Sequence, residues 1–326
     1  MVDFPFLSKR MEFARGRLTA LKDELAKKTG EWPLEICVYI TGSYGRLEAN
    51  EHSDLDLFFV GPGTEEKNKV PNVEKTLVDA DLIRTSRELS FPEFTKGGIY
   101  LQIHYLQDIL DALGSPSDDA KNYFTARMLL LLESNCIVNE TMYVSSIKSI
   151  INSYYRDYHD HEVIFRPAFL VNDIHRYWIT MCLNYEHARN RKTLTPQEKA
   201  EAHLKNIKLK YSRLLTCYSM ILHLIASKDP TPPEQVLEWA RLTPIRRLLE
   251  LAEERPELKS AVGSVLDNYS WFLEQTGRDP AVVADWLSDP DSRDKAFDRV
   301  RDFGRTMFRL VQETPQDPDR LRYLVV

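Results

Sequence analysis

The chain has 326 residues, of which 43% are apolar and 28% charged, with a formal net charge of −6. That composition supplies a sizeable core and excludes disorder as the dominant state, while the acidic balance argues against a broadly electrostatic nucleic-acid binder but leaves room for a local basic groove. The longest aliphatic run, Met128–Leu132, falls far short of the ~20 residues that cross a bilayer. At roughly 100–200 residues per domain, the length points to two domains or to one enlarged domain. The opening MVDFPFLSKR carries no apolar core of signal-peptide length. The four cysteines, Cys37, Cys136, Cys182 and Cys217, include no CxxC pair, so they read as reduced core residues of a cytoplasmic protein.

Taken in chain order, the first predicted element is an amphipathic helix over Ser8–Lys28. Met11, Ala14, Leu18, Leu21 and Leu25 alternate steps of three and four, and Gly30 lies where a terminating glycine belongs. The periodicity then changes. EICVYIT (Glu35–Thr41), DLDLFFV (Asp54–Val60) and IYLQIHYL (Ile99–Leu106) are short β-branched and aromatic runs bounded by glycines, hence strands. Val73–Leu89 between the last two reads as a helix. After Asp108 strand signals nearly stop, and helical patterns occupy 122–134, 142–158, 172–191, 196–227, 233–253, 256–276 and 292–312. The expected fold is α+β: a small mixed-sheet head, residues 1–115, followed by an all-α domain, residues 116–326.

The stretch that carries chemistry is TGSYGRLEANEHSDLDLFFV, Thr41–Val60. A strand runs into Gly42-Ser43, ten residues follow, and Asp54-Leu55-Asp56 opens the next strand. Side chains two apart on a strand share a face, so both carboxylates project together. They repel unless a cation lies between them, and hard oxygen donors select Mg²⁺ or Mn²⁺. Gly42 lets a phosphate approach the backbone, and Ser43 offers a hydroxyl donor. The pattern resembles the DNA polymerase beta-like nucleotidyltransferase superfamily, whose signature is Gly-Ser, about ten residues, then Asp-x-Asp between two strands. The wording is similar to the bacterial branch that includes the uridylyltransferase acting on the nitrogen-regulatory PII protein. The resemblance, covering about residues 35–106, implies transfer of a nucleoside monophosphate from an NTP, with Asp54 and Asp56 as catalytic metal ligands and pyrophosphate leaving. Arg46 joins Gly42 and Ser43 in the expected nucleotide-binding set.

Active members of that superfamily usually take a third carboxylate from a later strand. Here the inward positions of the third strand read Gln102 and His104, so the third acid is either absent or supplied from elsewhere. Glu93 and Asp108 lie nearby on flanking segments, and Asp79 and Asp81 lie in the preceding helical pattern, where they are expected to face solvent. In the helical domain, which is expected to bind substrate, 172–191 carries an apolar stripe (Ile174, Trp178, Met181, Tyr185, Ala188) and a mixed polar stripe. That second stripe, Asp173, Arg176, Thr180, Asn184, His187 and Arg191, reads either as a ligand-facing wall with Arg176 on a phosphate or as a buried polar seam. KNIKLKYSR (Lys205–Arg213) is a basic cluster in which Lys210 with Ser212, or Lys208 with Tyr211, could hold a triphosphate; the alternative is a solvated basic face. YYRDYHDHE (Tyr154–Glu162) lacks the further ligands that a His-Asp metal site needs and reads as a polar helix end. The expected activity is metal-dependent transfer from NTP, ATP included, to a protein, small-molecule or nucleotide acceptor. The rivals are a cyclic oligonucleotide synthase of phage defence and a nucleotide-binding pseudoenzyme that regulates a partner. No membrane or extended nucleic-acid partner is expected.

Overall fold

The stripe of Ala14, Leu18, Leu21 and Leu25 winds into helix α1 (Pro5–Ala26) in the computed structural model, which describes residues 4–32, 35–94, 101–190 and 195–324. All four stripe residues are buried in one cluster with Val38, Ile40, Leu57 and Phe59 of the sheet and Val78 and Leu82 of a second helix. Burial of each such leucine contributes roughly 1.5–3 kcal/mol, so this contact fixes which sheet face is inward.

Strand β1 (Cys37–Thr41) runs into the single turn α2 (Gly42–Gly45), and β2 (Asp56–Gly61) returns antiparallel beside it. The short α3 (Glu65–Asn68) and the longer α4 (Asn72–Glu88) cross over to β3 (Ile103–Tyr105), which lies parallel to β2. α5 (Leu106–Asp111), α6 (Pro116–Ala120) and α7 (Tyr123–Glu133) follow, then β4 (Asn135–Val138) and α8 (Glu140–Ser153). The sheet order is β3-β2-β1-β4. Alternation sends Val38, Ile40, Leu57 and Phe59 toward α1 and α4. Tyr39 and Phe58, on the other face, stack with ring centroids 5.8 Å apart.

β4 corrects the expectation that strands end near Asp108. Only four residues long and bounded by Ser134 and the left-handed Asn139 (φ 65°), it is defined by pairing with β1 across about a hundred residues of sequence and not by any local pattern. β3 is shorter than the expected strand, whose first residues, Ile99 and Tyr100, lie outside the described residues.

The remaining helices are α9 (Ala168–Arg189), α10 (Pro196–Lys208), α11 (Leu214–Ala226), α12 (Pro233–Ala240), α13 (Pro244–Glu254), α14 (Lys259–Thr276), α15 (Pro280–Ser288) and α16 (Pro290–Glu313). The architecture is therefore a small mixed sheet with its helices, and a helical part. Thr195 and Glu198 form a capping box that starts α10, and a π-helical turn, Leu209–Arg213, joins α10 to α11. The helix expected over 233–253 is two, parted at Leu242-Thr243 before Pro244, because proline disfavours helical geometry in the residue before it. By packing, the chain divides into two compact units: Ser8–Asp157 with Pro233–Thr243, and Met1–Leu7 with Tyr158–Pro232 and Pro244–Val326. The first therefore extends beyond residue 115, since β4, α7 and α8 complete the sheet and its cover. The second is centred on aromatic packing, with Tyr211 stacked on Phe272 at 4.5 Å and Phe303 beside it. No described helix is long and apolar enough to cross a membrane.

Candidate active site

At the end of β1 the backbone leaves extended geometry at Thr41 (φ −121°, ψ −163°) and enters the left-handed region at Gly42 (φ 66°). Across the hairpin Thr41 pairs with Asp56, and the Thr41 hydroxyl donates to the Asp56 carbonyl at 3.4 Å. The Asp56 carboxylate packs directly against the Cα of Gly42: a Cβ there would overlap Asp56 Oδ2. Glycine is thus required twice, for its φ and for the close approach. From Thr41 to Ala49 Ser43 alone is not buried, and its hydroxyl has no hydrogen bond among the described residues.

The dyad is presented by the same alternation that builds the core. Leu55 and Leu57 point into the apolar cluster, so Asp54 and Asp56, both partly exposed, face the other way. The preceding loop is locked by Asn50, whose Oδ1 accepts from the His52 amide (3.1 Å) and the Ser53 hydroxyl (2.9 Å). The turn itself is anchored from below: Tyr44 is buried edge-on to Phe91 at 5.5 Å, and the Arg17 guanidinium lies 3.9 Å over that same ring.

Arg46 occupies a different place from the one the sequence reading gives it. It is buried between Glu48 (Nε to Oε2, 2.8 Å) and Glu133 at the end of α7 (Nη1 to Oε2, 2.5 Å). Reaching a phosphate would mean leaving two buried carboxylates, which is strongly unfavourable. Sequence reasoning missed Glu133 because nothing local marks a partner 87 residues away.

The third strand bears on the missing acid. Val60 pairs with His104, so His104 shares the face of Asp56, but it stands four residues along from the dyad's level. Burial depresses its pKa and holds the imidazole neutral, edge-on to Tyr123 at 6.1 Å. Gln102 precedes β3 and is exposed; continuing the register sets it level with Phe58, one pleat from Asp56. The neighbouring acids are engaged elsewhere: Asp79 with Lys75 (2.6 Å), Asp81 with the Trp32 indole (3.0 Å), Glu93 with Arg87 (3.3 Å) and Asp108 with the Glu65 amide (2.8 Å). Among the described residues no group of three or more His, Cys, Asp or Glu is arranged to hold a metal ion.

The helical-unit candidates belong to the second compact unit. Arg176 is on the surface, its side chain 41% exposed and paired with Asp173 at 3.4 Å, so its stripe is not a buried seam. Arg191 lies outside the described residues. Lys210 Nζ sits 5.5 Å over the Trp178 ring, and Ser212 is buried, accepting a hydrogen bond from the Tyr269 hydroxyl at 3.2 Å. Both ride on the π-helical turn, a distortion often found at functional sites.

A strand entering a Gly-Ser turn, with paired aspartates facing it from the antiparallel neighbour, is the arrangement that the sequence resemblance to the polymerase beta-like nucleotidyltransferases implies. Residues 19–107 match the family of the nucleotidyltransferase domain, a match that takes in β1, β2 and β3 and leaves β4, α7, α8 and the helical part outside it. No curated protein matches the chain.

Proposed function

We propose that this protein is a metal-dependent nucleotidyltransferase that moves a nucleoside monophosphate from an NTP to an acceptor hydroxyl or phosphate and releases pyrophosphate. The observation that supports it is the contact between Gly42 and Asp56, which couples a backbone turn bare enough for a phosphate to a carboxylate pair fit for a divalent cation. Asp54 and Asp56 would hold Mg²⁺ or Mn²⁺, since both are hard oxygen donors, partly open and on one face. Bound there, such an ion neutralises charge on the phosphates. The chain's own part is to seat the triphosphate at the Gly42-Ser43 backbone, donate the Ser43 hydroxyl to a phosphate oxygen, and leave the space that a Gly42 Cβ would fill to the Asp56 carboxylate. The acceptor oxygen bonds to the α-phosphorus, the bond from that phosphorus to the bridging oxygen breaks, pyrophosphate carries off the electron pair, and the acceptor proton passes to water.

Gln102, at the position where the resemblance implies an acid, favours a second reading: a nucleotide sensor that binds NTP without turnover. Incubation with each NTP labelled at the α-phosphate, with Mg²⁺ and a cell extract fraction as acceptor source, separates the outcomes. Label on protein identifies a modifier, a phosphatase-resistant soluble product a nucleotide or small-molecule acceptor, and binding without product the sensor.

A further inference from the structure

The turn that carries Gly42 and Ser43 is held by a buried ionic cluster whose anchor comes from outside the motif. The Arg46 amide donates to the Gly42 carbonyl (3.0 Å) and the Glu48 amide to the Ser43 carbonyl (2.8 Å). The side chains of these same two residues pair with each other, and Arg46 extends to Glu133, whose side chain is fully buried. Leu47 between them adopts φ 58°, a left-handed geometry that a leucine keeps only where its surroundings over-determine it. Gly45 completes the fit. A Cβ there would overlap the Glu133 backbone carbonyl, so the turn lies directly on the end of α7. Arg10, half-buried and close enough to feel the charges of Glu48 and Glu51, brings a second cation to the Glu48 end of the cluster.

We infer that Glu133 is a positioning residue for the Gly42-Ser43 turn, acting through Arg46 to hold its backbone in the shape that receives a phosphate chain. The inference rests on the functional reading above. The guanidinium meets Glu48 with Nε and Glu133 with Nη1, a spread that the single nitrogen of a lysine does not reproduce. Loss of either end frees Leu47 to relax out of its left-handed conformation, and the carbonyls of Gly42 and Ser43 move with it.

The test uses the full chain and two readouts: amide hydrogen exchange over 42–48, and calorimetric binding of inorganic tripolyphosphate with Mg²⁺, which probes the turn without a base. Glu133→Gln should speed exchange over 42–48 about tenfold with the rest of β1 unchanged, and weaken tripolyphosphate about tenfold. The double variant Arg46→Gln/Glu133→Gln should show less than the sum of the two single effects on exchange and affinity, because the two share one interaction, and full additivity overturns the inference. A folded Glu133→Gln protein with unaltered exchange over 42–48 and unaltered affinity overturns the inference. If Glu133→Gln does not fold, Arg46→Lys must reproduce both changes, and its failure to do so overturns the inference equally. A wild-type protein that binds no tripolyphosphate overturns the functional reading and this inference with it; intact binding with no effect of the variants overturns the inference alone.

Discussion

Replacing Gly42 with alanine tests the contact on which the site is built. At φ 66° an alanine costs roughly 1–2 kcal/mol relative to glycine. Its Cβ would overlap Asp56 Oδ2 and lie 3.4 Å from Asp56 Cγ, so the carboxylate must rotate, at ~0.5–1.5 kcal/mol for a displaced rotamer. The unfolded chain loses some freedom with alanine, which returns about 0.4–1 kcal/mol. The balance is a destabilisation of about 2 kcal/mol, read by urea unfolding. The functional loss should be larger, because the displaced carboxylate and the new methyl group both intrude where phosphate and cation meet; Mg²⁺-dependent NTP affinity should fall at least tenfold by calorimetry. Gly16→Ala, on the exposed side of α1 with nothing within 4 Å of its Cβ, is the control. It should stabilise by about 0.5–1 kcal/mol and leave affinity alone. Unchanged stability and affinity in Gly42→Ala would refute the contact and the site drawn from it.

Removing both charges with Asp54→Asn/Asp56→Asn should leave the protein folded, with an unchanged or higher thermal midpoint without metal, and abolish Mg²⁺-dependent NTP binding; retained binding in a calorimetric titration would count against the dyad. Arg176→Ala removes an exposed side chain paired with Asp173, so the midpoint should stay within about 2 °C, while NTP affinity should drop about tenfold if it meets a phosphate. Gln102→Glu should raise turnover if that position serves the dyad, and an unaltered rate would remove it from the site. His223 is buried and donates to the Arg247 carbonyl at 2.8 Å, and burial pushes its pKa down to about 4. The unfolded chain therefore binds its proton first as pH falls below about 6.5, and stability should decline by about 3 kcal/mol by pH 4. Urea unfolding across that range checks this, and a pH-independent midpoint would show that His223 is not buried neutral.

Much of the head is legible in sequence because its signals are local. The steps of three and four in α1, the alternation of Leu55 and Leu57 with Asp54 and Asp56, and the Gly-Ser turn are each read within a window of a few residues. What escapes is set by distant partners. β4 exists through pairing with β1, α12 joins the head's compact unit by packing on α7 and α8, and Arg46 looks like a phosphate ligand until Glu133 is brought to it. The basic cluster around Lys210 shows the same limit, since its charge is visible in sequence but the burial of Ser212 beside it depends on Tyr269, 57 residues on.

The most direct measurement of the central claim is pyrophosphate release from NTP in the presence of Mg²⁺ or Mn²⁺, followed in wild type and in Asp54→Asn/Asp56→Asn side by side. The wild type should release pyrophosphate slowly, faster with Mn²⁺ than Mg²⁺ because the ligand set is poor in carboxylate, matched mole for mole by nucleotide incorporated into product, and the double variant should release none. Equal release by both proteins, or a wild type that neither binds nor turns over any NTP with either metal, would contradict that claim.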